Sequence, residues 1–187
     1  MLPSKPPSMV RIFHDPEEMF REVKEHIANR MKAYKLTPQK LKKFGVMSIE
    51  WTTSKDPALS QYTQGVLYGL CTYQGVLYIV VNNIARSIHQ SDSRSKEGAA
   101  EDVSPFGVLM HEVGHAVHFK LEKKEGMSRM EFSQKWRELI KGDRPVSRYA
   151  YTSPTEDFAE TFRMFFLNKS QLTDVRISAM QYFLDRL

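Results

Sequence analysis

The stretch PFGVLMHEVGHAVHFK, residues 105–120, decides how this chain is read. Ser104 and Pro105 supply an N-cap and a first helical residue, and the next stop signal is Gly126, so one long helix is predicted between them. Its apolar residues fall on most sides rather than along one stripe, the pattern of a buried helix whose charged members need a reason. His111 and His115 stand one turn apart on one face, where two imidazoles reach a single ion. Glu112 lies on the adjoining side, close enough to act as general base on a metal-bound water. Zinc suits such a site, because imidazole is a good borderline ligand and an open coordination position lets the ion lower the pKa of water toward about 7. Gly114 costs the helix roughly 1 kcal/mol against alanine and is read as room for a close neighbour, such as a strand on the substrate side.

A catalytic zinc needs a third protein ligand. No histidine follows His118, which excludes every arrangement whose third ligand is a downstream histidine. His118 itself sits on the next turn of the same helix, and consecutive turns do not supply three ligands at tetrahedral angles. It is read as a wall of the site. The remaining source is a carboxylate on a second helix, SPTEDFAETFRMFF (153–166), which carries Glu156 and Glu160 at i and i+4. Glu156 is the candidate ligand and Glu160 the alternative; the other would orient a ligand histidine from behind. A local role competes for Glu156, since Ser153, Pro154 and Glu156 also fit N-cap, N1 and N3 of a capping box. Asp157, expected to face solvent, can serve the helix dipole in its place. Upstream, Tyr149 and Tyr151 each offer a phenol O–H to charge that develops in a transition state.

HEVGHAVHF (111–119) followed by SRYAYTSPTEDFAETFRMFF (147–166) resembles the catalytic domain of the anthrax toxin lethal factor family and of the related Pro-Pro endopeptidases. That pattern combines HExGH, a tyrosine seven residues before the glutamate ligand, and an E-x-F-A-E helix. The resemblance implies a gluzincin in which His111, His115 and Glu156 bind zinc and Glu112 is the base. It also implies Glu160 as the carboxylate behind the ligands and Tyr149 as the residue that stabilises the oxyanion. It covers residues 105 to about 166, and upstream only the order of elements matches. His118 departs from it, because an acidic residue is common there. Secreted members carry export signals, and MLPSKPPSMVRIF shows none.

The rest of the chain reads as scaffold. After a Pro-rich leader (1–12), Asp15 and Pro16 start a helix whose Phe20, Val23, Ile27, Met31 and Tyr34 recur at helical spacing. FGVMSIEWTT (44–53) reads as a strand. QGVLY occurs at 64–68 and again at 74–78, which predicts two strands of a hairpin turning near Tyr73, Gln74 and Gly75 rather than a solenoid repeat. VLYIVVN should lie deep in the sheet, and residues 86–103, polar and Ser-rich, read as a mobile loop. Ser128 and Glu131 form a capping box for a short helix ending at Gly142, and TDVRISAMQYFLDRL closes the chain as an amphipathic helix.

Composition narrows the class further. The single cysteine, Cys71, leaves no internal disulfide, and no apolar run approaches the roughly 20 residues that span a bilayer. The 27 Lys+Arg and 22 Asp+Glu are interleaved, giving +5, without an arginine-rich arm or an aromatic-basic repeat. Nucleic acid is therefore not the expected partner. The whole is read as one α+β zincin-like domain over 1–187: N-terminal helix, small mixed sheet, HExxH helix and helical C-terminal part. Its expected activity is hydrolysis of a protein or peptide laid extended along an edge strand of the 65–82 hairpin, in the cytoplasm or as the catalytic fragment of an exported protein. Two rival readings are a zinc-stabilised interaction domain without turnover, disfavoured by Glu112, and a nucleic-acid-associated protein with a protease-like core.

Overall fold

The computed structural model describes residues 15–62, 66–88 and 97–187; the leader (1–12) lies outside them. Helix α1 (Pro16–Ala33) begins as its sequence dictates, with the Asp15 side chain accepting from Glu17 N at 2.9 Å. Val23 and Ile27 are buried, and Phe20, Met31 and Tyr34 pack beside them. A short helix, α2 (Pro38–Lys43), follows, capped by Thr37. Only Leu41 of it is buried, too little periodicity for the sequence to betray it. It also shortens the strand expected over 44–53 to β1, Ser48–Thr52.

The sheet has three strands in the order β1-β3-β2, with β2 at Gly69–Cys71 and β3 at Val76–Val80. Central β3 runs parallel to β1 and antiparallel to β2, Tyr78 pairing with Glu50 on one side and Leu70 on the other. The hairpin turns where expected: Gly75 N donates to Thr72 O at 2.8 Å, and Gly75 adopts φ +86°, a conformation open to glycine at little cost. Its first strand, however, is 69–71 and not 64–68, of which 64 and 65 lie outside the described residues. The two QGVLY copies thus meet different fates: Val76 enters the central strand, while Val66 is 66% exposed. β3 stops one residue into the Val-Val pair, and Val81 opens a one-turn helix, α3 (Val81–Ile84). There Asn82 trades hydrogen bonds with Ser54, and Asn83 Nδ2 donates to Leu67 O at 2.6 Å.

Of the segment expected to be a mobile loop, residues 89–96 lie outside the described ones. Its final part is tied down: Asp102 is buried and accepts from Gly98 N and Ser104 N. Helix α4 (Pro105–Glu125) then starts on the Ser104 cap and ends at left-handed Gly126. After it come α5 (Arg129–Ile140) with its capping box, α6 (Pro154–Leu167) and α7 (Asp174–Leu184).

Two expectations about close neighbours need correction. A Cβ on Gly114 would stand 2.8 Å from Ala159 Cα, so the partner it makes room for is α6 and not a strand. That contact lets α4 and α6 approach closely enough for both to reach one ion. Asp157 does not serve solvent; it is 4% exposed and accepts from Trp136 Nε1 at 2.9 Å and Arg176 Nη1 at 2.9 and 3.1 Å. Bonded to Trp136 of α5 and Arg176 of α7, it anchors the start of α6 to both helices. The architecture is α+β, a small mixed sheet with a mainly helical C-terminal part. Among the described residues no helix is long and apolar enough to cross a membrane.

Candidate metal centre

The first turn of α6 faces the middle of α4. The Ser153 side chain accepts from Glu156 N at 3.2 Å, and Pro154 needs no hydrogen bond at its position. Glu156 is therefore capped through its backbone, and its carboxylate is free to turn toward α4. Its Oε2 lies 3.1 Å from His111 Nε2 and 3.1 Å from His115 Nε2, and the two imidazole nitrogens are themselves 3.1 Å apart. Ligand atoms of a tetrahedral zinc held at about 2.0–2.1 Å stand roughly 3.3 Å apart. The triangle of donors thus has the right size.

Its chemistry fits as well. His111 Nδ1–H donates to Glu160 Oε1 at 2.8 Å, which leaves the Nε2 lone pair of the neutral ring pointing at His115 and Glu156. Lone pairs and a carboxylate converging in this way repel one another unless a cation lies between them. Without a metal a proton answers the same demand: burial opposes a charged His111, yet Glu156 and Glu160 outweigh it and raise its pKa to about 10. His111, His115 and Glu156 form the one group of at least three such side chains able to share an ion among the described residues.

Glu112 stands beside the triad, 5% exposed, with burial raising its pKa above the ordinary carboxylate range. Its carboxylate rests against the first residue of β2, where a Cβ on Gly69 would meet Oε1 at 2.7 Å. The family model described as anthrax toxin lethal factor, N- and C-terminal domain, matches residues 53–184. The chain belongs to this lethal factor family. Neither the curated proteins nor the solved structures compared with it gave a match.

In this lethal factor family member the matched region contains every residue of the centre. Glu160 lies behind His111 rather than beside His115, on the side away from Glu156. A cleft of about 510 Å³ opens next to His111 and Glu112, walled by Val66 and Tyr68 before β2, by Val103, and by Tyr149. Tyr149 lies in a single turn of helix (Tyr149–Thr152), its ring 5.6 Å from that of His111. Tyr149 is itself 53% exposed, yet partial desolvation at the cleft wall, and then the negative charges of Glu156, Glu112 and Glu160, push its pKa up, so the hydroxyl keeps its proton and stays a donor. Tyr151, 66% exposed, is not among the residues walling the cleft.

His118 is placed differently from the expectation. About 10 Å of helix rise separates it from His111. It turns into the aromatic core, 4.3 Å from Phe132, and its Nε2 lies 2.6 Å from Glu122 Oε1. It neither reaches the triad nor walls the cleft. Two residues near the centre went unread in the sequence. Gly69 carries no local signal. Arg163 does: an arginine inside the apolar run FRMFF, three residues after Glu160, requires a buried partner.

Proposed function

We propose that this domain is a zinc-dependent endopeptidase acting on a protein or peptide in extended conformation. The reading is carried by three donor atoms mutually 3.1 Å apart with a buried carboxylate, Glu112, between them and an open cleft. Two imidazoles and one carboxylate match the donor set of catalytic zinc, which when bound supplies a Lewis acid that acidifies water and polarises a carbonyl.

The chain's own residues do the rest. Glu112 accepts a proton from the attacking water and returns it to the departing amine, a role suited to a carboxyl whose pKa burial has raised. Tyr149 donates its O–H to the carbonyl oxygen as negative charge gathers there. Glu160 holds the His111 ring by its Nδ1–H. Backbone groups of Val66–Gly69, the segment that leads into edge strand β2 beside Glu112, align the substrate.

Glu112→Gln keeps the shape of the side chain and removes its basicity. Zinc content should match the wild type while hydrolysis of a peptide library falls by roughly 10²-fold or more. A wild-type protein that binds zinc stoichiometrically and cleaves nothing in such a library would instead support a zinc-stabilised interaction domain.

A further inference from the structure

Arg163 is 0% exposed and lies on α6 one turn beyond Glu160. A guanidinium carries five N–H groups and no acceptor, so full burial demands five oxygens. The structure supplies them in two directions. Toward the metal centre, Nε donates to Glu160 Oε1 at 3.1 Å and Nη2 to Glu160 Oε2 at 2.9 Å. Toward the 99–103 segment, Nη1 donates to Ala99 O at 2.8 Å and Nη2 to Ala100 O at 2.9 Å, and Nη1 forms an ion pair with Asp102 Oδ2 at 3.5 Å. Glu160 Oε1 is the same atom that accepts from His111 Nδ1. Asp102 in turn holds Gly98 N and Ser104 N, and with Glu101 and Val103 it walls the cleft.

We propose that Arg163 is a positioning residue: one guanidinium fixes both the carboxylate that orients His111 and the 99–103 segment, whose residues 101–103 wall the cleft, coupling the metal ligand to the substrate-side loop. The metal part rests on the zinc reading above. A fixed fork is needed because the two Glu160 oxygens and the two carbonyls lie on different edges of one plane. Lysine, with three donors on a single nitrogen, holds one edge only. The other fully buried arginine, Arg176, bonds Asp157, Thr161 and the carbonyls of Asp143 and Arg144. It provides a comparison equally deep in the fold with no bond to Glu160.

The test is zinc affinity, measured by chelator competition on the full chain. Arg163→Lys should weaken zinc about 10-fold, within the usual range for losing such an outer partner, whereas Arg176→Lys should lose stability without a comparable change. In a Glu160→Ala background Arg163→Lys should add less than about a further 2-fold, because coupled residues do not add. Wild-type affinity in a folded Arg163→Lys protein, or an equal loss in both backgrounds, overturns the proposal. Should Arg163→Lys not fold, hydrogen exchange decides. By reciprocity, zinc added to the wild type should slow amide exchange over residues 98–103, and should not do so in Glu160→Ala. An unchanged wild-type pattern, or equal slowing in both, overturns it. Zinc binding without any peptide hydrolysis would sink the peptidase reading and leave this cycle intact.

Discussion

Gly69 touches Glu112 so closely that an added Cβ would stand 2.7 Å from Oε1, 2.8 Å from Cγ and 3.0 Å from Cδ. The first residue of β2 is thus the backing against which the Glu112 carboxylate, the proposed general base, is set. No rotation of the carboxylate alone relieves a contact that includes Cγ.

Gly69→Ala should therefore move Glu112 without removing it. Displacements of about 1 Å in a reacting group cost up to 10²-fold, so kcat should fall at least about 10-fold while zinc content stays at the wild-type level. An unchanged kcat would mean that Glu112 can shift freely and that its position is not what the strand controls.

Glu156 and Glu160 sit one turn apart on α6 but face different partners. Glu156→Ala removes a corner of the donor triangle, and elemental analysis after desalting should find little zinc. Glu160→Ala removes the acceptor for His111 Nδ1–H and for Arg163 but no corner of the donor triangle, so zinc should still saturate, with affinity lowered about 10- to 100-fold. The opposite ranking would exchange the roles of the two carboxylates.

Tyr149→Phe deletes the donor proposed to meet charge as it appears on the carbonyl oxygen. It should lower kcat and kcat/KM together, with KM nearly constant, by an amount corresponding to roughly 3 kcal/mol. Tyr151→Phe, at an exposed position outside the cleft lining, should stay close to wild type. A large loss from Tyr151→Phe with Tyr149→Phe unaffected would reject the oxyanion assignment.

Gly114→Ala sets helix propensity against packing. Alanine favours an isolated helix by roughly 1 kcal/mol, but its Cβ would lie 2.8 Å from Ala159 Cα and 3.1 Å from Ala159 O, both backbone atoms of α6. Backbone cannot step aside as a side chain does, and overpacking of this kind costs about 1–3 kcal/mol. A lower Tm is expected in thermal unfolding of the metal-free protein. A raised Tm would show that the two helices have slack between them.

Much of the centre could be read from residue order because its signals are local. His111, Glu112 and His115 share a helix, so spacing alone puts them together, and the same holds for Glu156 with Glu160 and for the caps at Asp15, Ser104 and Ser128. Where a signal needed a partner from elsewhere, the reading failed. Proximity in sequence points His118 to the site, and a place in a first turn points Asp157 to solvent, but their partners on α5 and α7 draw both into the core.

The sequence by itself determined the helix periods, the hairpin turn and which side chains are able to bind a metal. Those follow from backbone geometry and residue chemistry within a few positions of one another. Only the tertiary structure decided which of these groups converge. The close approach of α4 and α6 at Gly114 sets the 3.1 Å triangle, and the edge of β2 at Gly69 sets the base. The burial of Arg163 joins residues more than 60 positions apart in the chain. The reason is that contact between distant segments depends on how whole elements pack, and packing is a property of shapes meeting in space, which local sequence does not carry.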